Sequence, residues 1–314
     1  MIVGWGNPQL ETQPLSGKLT QSVAVGDKVN LPEVTSSKST LQETIDSRSF
    51  LSYKDYKDGI SKSYQSGDQE YRPLEFEHLS DISGAILPHH NIANVFLADF
   101  YKVAAKIHEI RPYDLVVVIS PNHQSMGEEI QVVTQAYDTF EGIVASDKTL
   151  GVTLANHTDA AVASKEMIGM EHGQLIHMPY IRHYLKEVKV LSIVVKETGK
   201  DEGLINFVDE LETQLSDKRI LVIASIDFSH DLTLEEATKK DRITEELLMR
   251  NDTRGMFQLT DAYIDSPSSY LMFIELLERR GSSSPTITNQ SNSALFLRRY
   301  DLKETTSYFQ VLYN

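Results

Sequence analysis

Leu115-Val-Val-Val-Ile-Ser-Pro-Asn-His123 is the stretch that decides the fold. Its apolar run is continuous rather than alternating, so the strand it predicts must be covered on both faces, which is the pattern of an α/β sheet. The run then stops at a short polar loop carrying histidine. Two further segments repeat the design: Gly84-Ala-Ile-Leu-Pro-His89-His90 and Ile220-Leu-Val-Ile-Ala-Ser-Ile-Asp227-Phe-Ser-His230. In open α/β sheets ligands collect outside the carboxyl ends of the strands, so residues far apart in sequence but each just past a strand end converge on one crevice. Imidazoles and a carboxylate meeting there point to a metal centre or an acid/base centre.

Outward from these segments, strand-like and helix-like patterns alternate from Ile82 onward. Asn94 to Ile110 carries Val95, Phe96, Ala98, Val103, Ile107 and Ile110 at helical spacing. Strand-like runs recur at Ile130–Val133, Val188–Val195, Thr286–Thr288, Ala294–Leu297 and Tyr308–Leu312. Helical patterns lie near Asp159–Ile168, Glu202–Leu215, Leu234–Met249 and Ser268–Glu278. The expectation is one α/β domain over residues 81–314. Residues 1–80 are rich in Ser, Thr, Gln, Asp and Lys and show no long apolar period, so they read as an N-terminal extension, weakly ordered or docked on the surface. Its removal is expected to leave the stability of the rest nearly unchanged.

Composition narrows the chemistry. A chain of 314 residues with 40% hydrophobic side chains is long enough for a large buried core. Its 30 Lys and Arg against 45 Asp and Glu give a net charge of -15, which argues against nucleic acid as a partner. Cysteine is absent, so disulfides, thiolate catalysis and Cys-based metal sites are excluded. Any metal must be held by His, Asp, Glu or weaker oxygen ligands. No apolar run of membrane-spanning length and no basic-then-apolar leader pattern are present, so the expected location is cytoplasmic, without a membrane span.

Each motif carries its own weight. Pro88 fixes its own backbone and restricts Leu87 to extended geometry, so the strand stops cleanly and His89 and His90 start a loop. Asn122 and His123 follow Ser120-Pro121 in the same way. Taken singly, each of these histidines reads more readily as a loop or capping residue; together, at two strand ends, they suit a metal as well as they suit that reading. In Glu171-His172-Gly-Gln-Leu-Ile-His177-Met-Pro179, Gly173 and Pro179 disfavour one long helix and favour a turn leading into a helix started by Pro179. His172 and His177 lack the three or four spacing that places two ligands on one helical face. His172, oriented by a carboxylate such as Glu171, reads instead as a proton donor or acceptor. Asp227-Phe-Ser-His230 could be a triad fragment with Ser229 as nucleophile, but no Gly-x-Ser-x-Gly elbow surrounds it, so metal chemistry stands ahead of hydrolase chemistry.

Together, Pro88-His89, Ser120-Pro-Asn-His123, Glu171-His172 with His177-Met-Pro-Tyr, and Ser225-Ile-Asp-Phe-Ser-His230 resemble the Memo family, called AmmeMemoRadiSam system protein B in microbes. The resemblance runs from roughly Gly84 to the C-terminus. It implies a central mixed sheet flanked by helices, similar in fold to class III extradiol dioxygenases, whose iron sits on two histidines and a carboxylate. By position, His89 and His123 match the family's metal histidines and His172 the motif histidine beside them. Where animal members carry a cysteine ligand within Asp-Phe-Cys-His, this chain has Ser229, a weaker ligand, which leaves the third position open among Asp227, Ser229 and His230. The family's Glu-His-Ser-Ile-Glu becomes Glu171-His-Gly-Gln-Leu175, one carboxylate short, and at Asp265-Ser-Pro-Ser the family's Cys-Gly loop is not retained.

The expectation that results is a mononuclear divalent metal, Fe(II) first with copper or zinc as alternatives, held by His89, His123 and Ser229, with His172, Asp227 and His230 in catalytic roles. The expected reaction is redox, on a small molecule. The rivals are a metal-dependent hydrolase and a non-catalytic module that grips a peptide or partner protein in the same crevice. The resemblance further implies AMMECR1-like and radical SAM partners.

Overall fold

A computed structural model describes residues 43–65, 71–74, 81–282 and 284–314. Its strands are β1 (Thr44–Asp46), β2 (Gly84–Leu87), β3 (Leu115–Pro121), β4 (Ile130–Val133), β5 (Ala136–Thr139), β6 (Gly142–Val144), β7 (Ala161–Val162), β8 (Lys189–Val195), β9 (Ile220–Ser225), β10 (Pro285–Asn292) and β11 (Ser307–Tyr313). The helices are α1 (Tyr53–Lys62), α2 (Asn94–Ile110), α3 (Lys148–His157), α4 (Lys165–Ile168), α5 (His172–Leu175), α6 (Met178–Leu185), α7 (Glu202–Leu215), α8 (Leu234–Met249), α9 (Thr253–Phe257), α10 (Pro267–Arg279) and α11 (Ser293–Leu297). Eight strands form a mixed sheet in the order β10-β11-β2-β9-β3-β8-β4-β7, as expected of the fold class. Its four central strands, β2, β9, β3 and β8, are all parallel, so their carboxyl ends emerge along one edge.

The continuous apolar runs are explained by the two layers. Leu115, Val117 and Ile119 of β3 belong to one buried cluster with Phe207 and Leu211 of α7 and Phe273 of α10. Val116 and Val118, on the other face, pack with Phe100 and Tyr101 of α2 and Ile181 of α6. Each such side chain contributes about 1.5–3 kcal/mol by leaving water, so a charge on either face of β3 would break the fold. Helix α2 ends where Pro112 forces Arg111 into extended backbone, at φ -136° and ψ 95°.

Three local expectations differ from what is observed. Ala294–Leu297 is helical rather than a strand, because the Asn292 side chain accepts from the Ala294 amide at 2.8 Å and caps a turn there. Over Asp159–Ile168 only Lys165–Ile168 is helical; the longer helix lies earlier, at Lys148–His157, where the Asp147 side chain accepts from the Leu150 amide. The boundary near residue 80 also moves. Residues 1–42 lie outside the described residues, but 43–65 are part of the α/β body: β1 pairs in parallel with β5, and Ile45, Leu51 and Tyr56 are fully buried. The compact unit accordingly begins at residue 42. Helix α1 buries only Tyr56 and Gly59, so its apolar face is too narrow to stand out in the sequence.

Candidate metal centre

All four parallel strands deliver a residue to one place. Past β2, the His89 amide donates to Asp227 Oδ1 at 3.1 Å, and His89 Nδ1 lies 3.2 Å from the Ser225 carbonyl. A carbonyl only accepts, so Nδ1 carries the proton and Nε2 presents a bare lone pair. Past β3, Glu171 does the same for His123: its carboxylate accepts from the His123 amide at 2.9 Å and from Nδ1 at 2.7 Å. A carboxylate holding the far side of an imidazole fixes the tautomer and raises the basicity of the free nitrogen. Glu171 thus orients His123, not His172 as the sequence suggested. Gly173 permits it, since a Cβ there would come within 3.0 Å of the Ser120 Cβ and 3.1 Å of Glu171 Oε1.

The two bare nitrogens face a group that was not among the expected ligands. Asp265 Oδ2 lies 3.1 Å from His89 Nε2 and 3.9 Å from His123 Nε2. Both of its carboxylate oxygens are buried without a hydrogen-bond partner. The Asp265 amide donates to the Asp227 carbonyl at 3.1 Å. Beyond β8, Glu197 pins the following turn by accepting from Ser266 Oγ at 2.6 Å and from the Ser268 hydroxyl at 3.0 Å. Burial raises the Glu197 carboxyl above its ordinary range, and these donors offset part of that cost.

His172 completes the first group. Its ring stacks on His123 at 4.0 Å between centroids and stands edge-on to His89 at 4.9 Å. One nitrogen from each of His89, His123 and His172 lies within 4.8 Å of the others. Beside this group sits a second one, His90, Asp227 and His230, with the same mutual reach. Asp227 touches both: its Oδ2 is 2.7 Å from His90 Nδ1 and 3.5 Å from His89 Nε2. Phe50, from the segment that had been assigned to the extension, lies against His172 at 5.6 Å between rings.

Burial disfavours a charged His89, but the Asp227 and Asp265 carboxylates outweigh it and push its pKa up to about 10. Asp227 is held well below the usual carboxylate range by the His89, His90 and His230 imidazoles, although burial alone would raise it. His172 goes the other way: burial, then the neighbouring imidazoles, pull it down to about 2, so it stays neutral. His177 is similarly depressed by burial to about 3 and bonds to the Tyr101 hydroxyl at 3.1 Å, which makes it a core residue.

Ser229 is the expected ligand that the structure does not bring to the cluster. It is fully buried, and its hydroxyl donates to Asp241 Oδ1 at 2.8 Å with Ser307 Oγ 3.0 Å away. Helix α8 supplies Asp241, and a hydroxyl donating to a buried carboxylate makes one of the stronger, charge-assisted hydrogen bonds. Asp265 was overlooked because it follows no apolar strand. Its one signal was its position where the family's Cys-Gly loop is not retained.

The donor set suits a divalent metal, since buried carboxylate oxygens without partners face imidazole nitrogens whose tautomers leave lone pairs free. MEMO1 family proteins are similar to this chain: that of Aquifex aeolicus is 30% identical over 163 residues, 50% of this chain and 59% of its own length. That of Desulfurococcus amylolyticus is 25% identical over 54% of this chain and 62% of its own. That of Methanosarcina acetivorans is 25% identical over 68% of this chain and 79% of its own. The matched stretch thus spans about three fifths of the first two relatives. The crystal structure of an uncharacterized protein from Escherichia coli K12 aligns at TM-score 0.47 and 14% identity, over 74% of this chain and 99% of that one. Among the described residues no helix is long and apolar enough to cross a membrane. The profile of the Memo-like protein family matches residues 53–298, well over half of the sequence, and the chain belongs to that family.

Proposed function

We propose that this chain is a metal-dependent oxidoreductase that acts on a small molecule, with Fe(II) held by His89 Nε2, His123 Nε2 and the Asp265 carboxylate. One observation carries the reading: a buried carboxylate with no hydrogen-bond partner faces two imidazole nitrogens whose opposite sides are tied down by Ser225 and Glu171. Two histidines and one carboxylate form the ligand set typical of non-haem iron, which supplies redox chemistry and leaves positions open for substrate and oxygen.

The protein's own groups divide the remaining work. His172, stacked on His123 and edge-on to His89, is the imidazole placed beside the seat for proton transfer with substrate. Phe50, itself exposed, lies against that imidazole at 5.6 Å between ring centroids. Asp227 anchors the His89 amide and keeps negative charge beside the centre.

The test is metal analysis of anaerobically purified protein, followed by oxygen uptake of the Fe(II)-loaded protein over a panel of catechols and thiols. Iron that is lost in Asp265→Ala, and oxygen uptake that is lost in His172→Ala while iron stays bound, are the expected results. Zinc as the bound metal, with hydrolytic turnover and no oxygen uptake, would replace this reading with that of a hydrolase.

A further inference from the structure

His90, Asp227 and His230 are donors that the first metal seat does not use. We infer that they form a second seat for a divalent cation, so that the centre takes a pair of metals with Asp227 between them; this rests on the reading of the first seat given above.

Three features support it. Asp227 Oδ2 and His230 Nδ1 are buried, yet neither has a hydrogen-bond partner. Asp227 Oδ2 and His90 Nδ1 stand 2.7 Å apart as an ion pair. Two ligands of one cation with bonds of about 2.1 Å stand roughly 3 Å apart, so this spacing also fits a metal shell. Finally, Asp227 is already fixed, because its Oδ1 accepts from the His89 amide. Its free Oδ2 therefore stays 3.5 Å from His89 Nε2 and within reach of both groups.

The site is not a structural polar knot of the kind found nearby. Both oxygens of Asp241 accept hydroxyl hydrogen bonds, from Ser229 and Ser307, as a buried carboxylate does when it has only to be satisfied. Imidazole and carboxylate ligands suit Fe(II), Mn(II), Co(II) or Zn(II). The His90 side chain is 41% exposed against 1% for His89, which makes the second seat the outer one.

Mn(II) alone is the probe, added to metal-free full-length protein under anaerobic conditions and followed by equilibrium dialysis and electron paramagnetic resonance. The wild type should take two ions per chain, with a signal broadened by coupling between them. The His90→Ala/His230→Ala variant should take one, with a resolved six-line signal, and His123→Ala/Asp265→Ala should also take one. Melting curves accompany each variant, and the near-isosteric Asp227→Asn replaces the histidine pair if that pair does not fold; it should lose the second ion. A wild type that takes one ion, lost only in His123→Ala/Asp265→Ala, overturns the second seat. One ion lost only in His90→Ala/His230→Ala overturns the first seat instead. Two ions that survive both His90→Ala/His230→Ala and Asp227→Asn overturn the assignment of these ligands.

Discussion

Two buried carboxylates, Asp241 and Asp265, are treated in opposite ways. Asp241 on α8 receives hydroxyls from Ser229 and Ser307 on its two oxygens, whereas Asp265 accepts no aligned hydrogen bond and has the His89 imidazole 3.1 Å from its Oδ2. Burying a carboxylate without partners is costly, so a fold that leaves one bare beside two oriented imidazoles is arranged for a cation. The same cost at Asp241 is met in part by the Ser229 and Ser307 hydroxyls.

That contrast can be broken most directly by substitution at the two aspartates. Asp265→Ala should weaken Fe(II) binding by more than about 100-fold, roughly 2.7 kcal/mol, without lowering the melting temperature of the metal-free protein. Asp241→Ala should do the reverse, leaving metal affinity intact and lowering stability by about 1–3 kcal/mol, because two buried hydroxyls lose their acceptor. Equilibrium dialysis and thermal melts on both variants check the crossing. If Asp265→Ala keeps its iron, the distinction fails.

A smaller effect is expected one step back from the metal. Glu171→Ala frees the His123 ring, and the loss of such a supporting carboxylate should weaken iron binding by about 10- to 100-fold. Competition with a chelator of known affinity measures it, and an unchanged affinity would mean that His123 does not need orienting.

The Asp241 side can be sharpened by pH. Burial pushes the Asp241 carboxyl up to about 6 from an ordinary value of 3.8. A folded-state pKa above the unfolded one stabilises fully at pH below 3.8, and that contribution is lost as pH rises through 6. Asp241→Asn should remove this component, so the fall in stability between pH 4 and pH 7 should be smaller than in wild type by on the order of 2 kcal/mol. Urea unfolding of both proteins across that range would show it; parallel curves would mean that Asp241 is ionised at no net cost. Smallest of all is Ser229→Cys. With its hydroxyl committed to Asp241, it should change Fe(II) affinity by less than about threefold, and a large tightening would return Ser229 to the list of ligands.

How much of this was legible in the sequence depends on what each residue follows. His89, His123 and Asp227 each come just past an apolar strand, and the parallel central sheet turns that shared position into convergence. The α/β class was legible for the same reason, since Val116 and Val117 serve opposite layers. Asp265 comes instead before the Pro267 that starts α10, and reaches the site because Glu197 grips Ser266 and Ser268, a tertiary contact with no local pattern. The bond from Ser229 to Asp241 was not legible, because a strand-end position says which residues approach the edge, not which partner each one meets there. The order in residues 43–65 was hidden because β1 has only three residues and α1, YKDYKDGISK, is polar on average and buries only Tyr56 and Gly59.

The central claim is that Asp265, with His89 and His123, seats the metal. An anomalous-scattering map at the iron edge, from crystals loaded with Fe(II) under anaerobic conditions, tests it most directly. The account predicts a peak about 2.0–2.3 Å from His89 Nε2, His123 Nε2 and an Asp265 oxygen; a peak bound to Ser229 Oγ, or none between the two histidines, would contradict it.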